Sequence, residues 1–179
     1  VVYDADGNQA VNMTYAQVKA GSDMISLPAG SYTLVAQSLS GDVPYASWEN
    51  PIYGTSEEFL IQAGEITSIG ELVCTLLQCK VTVSYNDEFL DAVTGPGVTK
   101  VELSAGHPLE YKLNADKKYD QSAGYFAVNG HTMTVSFSGN IEGKSAKMTK
   151  VFQGVAAKQW RQVRFVQKKN EQGQATFDI

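Results

Sequence analysis

Basic residues are almost missing from the first 79 positions. Lys19 stands alone there against nine acidic side chains, a balance of −8. Residues 80–179 hold thirteen basic and ten acidic residues, a balance of +3, so the formal charge of −5 joins two unlike halves. A net negative chain lacks the basic footprint of a dedicated nucleic-acid binder. Cysteine is scarce as well: Cys74 and Cys79 are the only two, too few for a disulfide scaffold. In one extended strand their Cα atoms would lie about 16 Å apart, beyond the roughly 7 Å that a disulfide spans. Both therefore read as buried free thiols, and only a bend at Leu77-Gln78 would allow a bridge. No apolar run approaches the roughly 20 residues of a membrane-spanning helix. The marks of disorder are missing too, with 43% hydrophobic and 18% charged residues. A chain of 179 residues can bury a sizeable core, as one large β domain or two small ones.

Catalytic vocabulary is equally thin. There is no HExxH, GxSxG, CxxC or phosphate-binding glycine loop. His107 lies in Gly106-His107-Pro108 and His131 in Asn129-Gly130-His131, both turn-like, and two isolated histidines do not make a metal site. A carboxylate pair for glycoside cleavage leaves no local signature. The expectation is a protein that is not an enzyme and carries no metal or other cofactor. Asp4, Asp6 and Asn8 resemble the start of a calcium loop, but Gly7 falls too early and no bidentate Glu follows. A hairpin turn requires the same residue types.

What the chain does contain is strands. Val1–Tyr3 and Gln9–Met13 flank an Asp/Gly/Asn turn. Thr14–Ala20 predicts a short helix with Thr14 as N-cap and Gly21 as its stop. Met24–Leu27 with Tyr32–Gln37, and Phe59–Gln62 with Ile66–Ile69, read as two more hairpins, with 39–58 as a long irregular loop. Glu71–Leu77 and Lys80–Tyr85 are strand-like, the latter alternating Val81, Val83 and Tyr85 with Lys80, Thr82 and Ser84. Asp87 is placed as the cap of a short helix through Val93. Further strands are expected near Val98–Ser104, Leu109–Leu113, Tyr125–Val128, Thr132–Ser138, Lys147–Phe152, Gln159–Gln167 and Ala175–Ile179. Short strands every 8–14 residues with glycine-rich turns give an all-β sandwich. The charge flip and the restart of the hairpin pattern near 76–80 suggest two modules, 1–77 and 78–179, sharing an interface.

Two surface features suggest ligands. Tyr45, Trp48 and Tyr53 cluster beside Asp42, Glu49 and Asn50, a composition suited to stacking on sugar rings. The same aromatics would also serve to fold back over an open sandwich end. Lys144 to Lys169 holds eight basic residues and no acidic one: Lys144, Lys147, Lys150, Lys158, Arg161, Arg164, Lys168 and Lys169. Alternation with Val163 and Phe165 points to a solvated sheet face or a lysine-guarded edge strand rather than a nucleic-acid site.

Several stretches resemble a family of fimbrillin-like surface lipoproteins from gram-negative gut bacteria. They are Leu27-Pro28-Ala29-Gly30-Ser31-Tyr32-Thr33-Leu34, Asn50-Pro51-Ile52-Tyr53-Gly54, the run Val73 to Val83, Ala123-Gly124-Tyr125-Phe126, and Lys158-Gln159-Trp160-Arg161-Gln162-Val163. The resemblance implies two tandem transthyretin-like, Greek-key β-sandwich modules at the outer membrane surface. Anchoring would run through a lipidated cysteine expected upstream of Val1. It further implies an adhesion or fimbria-type structural role, with protein partners or other fimbrial subunits contacted by strand pairing. A glycan held by Tyr45, Trp48 and Tyr53 is the alternative ligand; no nucleic-acid partner is expected, and membrane contact only through the anchor.

Overall fold

The computed structural model describes residues 1–21, 24–169 and 174–179. The chain is all-β, with fourteen strands in three sheets and two short helices among these residues. Strands β1 (Val2–Asp4) and β2 (Gln9–Val11) form the first hairpin, and Asp4 closes its turn. The Asp4 carboxylate accepts from the N–H groups of Asp6 (3.0 Å) and Asn8 (2.8 Å) and from the Asn8 amide. These bonds, with Asn8 first, hold its pKa below the usual carboxylate value. Helix α1 (Tyr15–Ala20) begins with a capping box in which Thr14 and Gln17 satisfy each other's backbone N–H. None of its residues is buried.

The remaining elements are β3 (Gly30–Gln37), β4 (Ala46–Trp48), β5 (Tyr53–Ile61), β6 (Thr75–Leu76), β7 (Gln78–Tyr85), α2 (Asp87–Ala92), β8 (Gly97–Glu102), β9 (Leu109–Leu113), β10 (Gly124–Ala127), β11 (Thr132–Ile141), β12 (Lys144–Gln153), β13 (Trp160–Lys169) and β14 (Ala175–Asp178). They order as β2-β1-β3-β5-β6, β14-β13-β7-β10-β4 and β12-β11-β8-β9. Every pairing with a described register is antiparallel except that of β7 with β13.

The chain separates into two compact units. One comprises Val1–Gly41 and Ile52–Thr75, the other Asp42–Pro51 and Leu76–Ile179. The first unit holds the sheet built around β3 and β5, with Val2, Tyr32 and Ile52 as its buried hydrophobic residues. The second holds the other two sheets and a continuous core. There β7 turns Cys79, Val81, Val83 and Tyr85 inward, β11 contributes Met133, Val135 and Phe137, and β13 contributes Val163 and Phe165. Phe89 of α2 joins them, its ring 5.3 Å from that of Phe137 and 5.5 Å from that of Tyr85. Each such ring buried contributes about 1.5–3 kcal/mol relative to exposure.

Several local expectations change. Met24–Leu27 and Ile66–Ile69 are not strands. β3 pairs instead with β1 and, over eight residue pairs from Gly30↔Ile61 to Gln37↔Gly54, with β5. A partner offering eight pairs outcompetes a four-residue segment, because each added pair extends the ladder without a new turn. The stretch 39–58 is not wholly irregular, since it contains β4 and the start of β5. Glu71–Leu77 contributes only the two residues of β6. The cap of α2 is Asn86, not Asp87: its Oδ1 accepts from Phe89 N–H at 3.0 Å. Both cysteines are free, but Cys74 is exposed and only Cys79 is buried. Burial pushes the Cys79 thiol up to about 11, partly opposed by the charge of Arg161.

Candidate functional site

Tyr45 and Trp48 stand in the second unit because Ala46–Trp48 pairs with β10, through Ala46↔Phe126 and Trp48↔Gly124. The Tyr45 ring stacks on His107, with centroids 4.2 Å apart and planes 20° from parallel. Pro44, Tyr45, Ala46, Gly106, His107, Pro108 and Leu109 line an open depression of about 460 Å³ there. Trp48 meets Tyr111 edge-on at 4.7 Å. The Tyr111 hydroxyl donates to Val81 C=O at 2.9 Å and accepts from Gly124 N–H at 3.2 Å, and burial pushes its pKa well up. Glu49 binds the Ala123 N–H through its carboxylate and Ala123 C=O through its own N–H. Tyr45 remains 50% exposed and Trp48 36%. Tyr53 belongs to the first unit, where it opens β5 and exchanges hydrogen bonds with Ser38. The structure thus joins Tyr45 and Trp48 to one unit and Tyr53 to the other.

The basic stretch divides by environment. Lys150 donates to Asp178 Oδ1 at 2.8 Å and to the Ile179 carbonyl, and holds the Asp178 carboxyl below its ordinary pKa. Arg161 folds into the adjoining turn, donating to Gly154 C=O at 2.7 Å and to Gln159 Oε1 at 2.9 Å. Lys144, Lys147, Lys158, Arg164, Lys168 and Lys169 are exposed. Lys144 and Lys147 lie on β12, which pairs along all ten residues with β11 through the Glu142-Gly143 turn. Both turn residues have positive φ, the geometry that matches strand twist in a two-residue hairpin. β12 ends its sheet, so its other edge pairs with no strand among the described residues.

The histidines serve separate places, His107 under Tyr45 and His131 with Nδ1 3.3 Å from Val155 C=O. Among the described residues, no three His, Cys, Asp or Glu side chains gather as metal ligands. No helix of the described residues is long and apolar enough to cross a membrane. Composition alone marks Tyr45, Trp48 and Tyr53 as site aromatics and leaves Trp160 out. Trp160 is 57% exposed on β13, its indole N–H on Thr82 Oγ1 at 3.0 Å and Lys80 Nζ 4.6 Å from its ring centroid. Strand parity was the available signal, because inward Val163 and Phe165 place Trp160, Gln162 and Arg164 outward.

No curated protein matches the chain. Among solved structures, it is similar to a protein of Bacteroides fragilis NCTC 9343 provisionally named as a cell adhesion protein, with 10% identity and a TM-score of 0.41. That likeness covers 86% of this chain, which spans 66% of the other protein's length. The model of a domain of unknown function, DUF4493, matches residues 1–179, and the chain belongs to that family.

Proposed function

We propose that the chain is a non-enzymatic, cell-surface adhesion or fimbria-type structural protein that associates by strand pairing. β12 carries this reading. Its ten residues offer roughly 30 Å of edge, and along the side away from β11 no strand among the described residues pairs with it. A main-chain ladder supplies affinity there, and alternating side chains supply selectivity. Lys144 and Lys147 repel basic partners and favour an acidic strand. The acidic first part of the chain, where Glu57 and Glu58 are exposed, offers a surface of that charge on another copy. Pairing unlike surfaces head to tail builds an open filament unless the rotation closes a ring. The fimbrillin-like resemblance, with outer-membrane anchoring through an upstream lipidated cysteine, fits the same role.

Sedimentation velocity at low and high salt tests the reading. Assemblies larger than a monomer are expected at low salt, dispersing as salt screens exposed charges. The double variant Lys144→Glu, Lys147→Glu is expected to remain monomeric at both. A wild-type monomer at high concentration and low salt would overturn the proposal.

A further inference from the structure

The parallel register of β7 and β13 sets Trp160 beside Lys80, Gln162 beside Thr82 and Arg164 beside Ser84. Val81, Val83, Val163 and Phe165 take the inward positions, so these six side chains share the outward face. Two are cations, one is an indole, and three are hydroxyl or amide groups able to donate and accept. None is a carboxylate. The indole is held before any ligand arrives, by Thr82 at its N–H and by Lys80 over its ring. A ligand stacking on it gives up little further side-chain freedom of the protein.

We infer that this face binds a carboxylate-bearing polysaccharide, with Trp160 stacking on one sugar ring and Arg164 or Lys80 pairing with the acid groups. Trp160 and Arg164 are four residues apart along one strand, about 13 Å. An extended oligosaccharide can span that distance, one ring on the indole and a carboxylate on the guanidinium. Arg164 suits the second task, because its planar fork meets a carboxylate through two parallel hydrogen bonds. Thr82, Ser84 and Gln162 lie between and beside them for the sugar hydroxyls. The surroundings disfavour other occupants. A nucleic-acid strand calls for a longer track of cations than Lys80, Arg164 and, four residues further along β13, the exposed Lys168. A protein hot spot centres its aromatic anchor in a desolvated apolar pocket, whereas polar side chains surround Trp160.

The test is direct binding of the folded chain to polygalacturonate, hyaluronan and alginate, with neutral galactan and a twenty-residue oligothymidylate as controls. Binding to at least one acidic polysaccharide is expected, weakening as salt rises, with none to galactan. Trp160→Ala is expected to weaken it about tenfold. Arg164→Gln, an exposed position that leaves the core untouched, is expected to weaken it comparably and to flatten the salt dependence. Absence of binding to all three, full binding by both variants, or equal binding of the oligothymidylate would each overturn the inference. Because the face lies on β7 and β13 rather than on β12, its failure would leave the strand-pairing proposal standing.

Discussion

The two units apply one strand-forming pattern to different ends. The second turns alternate residues of two sheets onto one core, where Tyr85, Phe89, Phe137 and Phe165 meet with centroids 5.2–6.3 Å apart. The first carries a sheet in which Tyr32 stacks on Phe59 at 5.7 Å, while Leu60, Ile66, Val73 and Tyr15 stay exposed. Alternation makes a strand, but only a second apolar layer makes a dense core. The difference places most of the folding energy in the second unit and leaves the first richer in apolar and acidic surface.

Truncating one phenylalanine in each unit is the sharpest way to break that comparison. Phe89→Ala is expected to cost about 3–5 kcal/mol, as for a fully buried aromatic. Phe59→Ala removes a half-buried ring and is expected to cost clearly less in chemical denaturation. Equal losses would mean that the first unit is packed as tightly as the second. Gly124→Ala comes next: an added Cβ would lie 2.4 Å from the Tyr111 hydroxyl and 2.9 Å from Leu109 and Phe126 side chains. Overpacking of that kind costs about 1–3 kcal/mol, read as a lower melting temperature.

Smaller again is Tyr85→Phe, which removes the partner 2.7 Å from Thr99 Oγ1 and costs about 1 kcal/mol at neutral pH. The same residue sharpens the comparison at high pH. Burial pushes the Tyr85 phenol from 10.0 to about 12 and the Cys79 thiol from 9.0 to about 11. Folding favours both neutral forms, so their contribution is complete below pH 9 and is lost as pH rises through 11 and 12. A melting-temperature series from pH 8 to 12 should fall across that window, less steeply above pH 10 in Tyr85→Phe. The least effect is expected from Leu60→Ser in the first unit, within about 0.5 kcal/mol, because the side chain is already exposed.

Legibility in the sequence followed the same division. β9 falls at the expected Leu109–Leu113, and Met133, Val135 and Phe137 point inward as their alternation predicts. A strand with one buried face prints a period of two, and the second unit has many such strands. β5 prints none, because Thr55, Ser56, Glu57 and Glu58 are polar in succession. Its strand state comes from pairing with β3, a partner that the sequence pattern alone did not reveal. β4 has three residues and is recruited by β10 from far along the chain. The β7–β13 pairing joins residues about eighty positions apart, so the row of Lys80, Thr82 and Trp160 exists only after folding. Strand parity gave the outward side of Trp160, and the register gave its neighbours.

Hydrogen–deuterium exchange on β12 tests the central proposal of strand pairing most directly. The chain would be compared at dilute high-salt and concentrated low-salt conditions, with the buried strands β7 and β11 as internal references. Pairing through the open edge predicts that alternate amides between Lys144 and Gln153, those pointing away from β11, gain protection in the concentrated sample. Assembly without any gain of protection on β12 would contradict it.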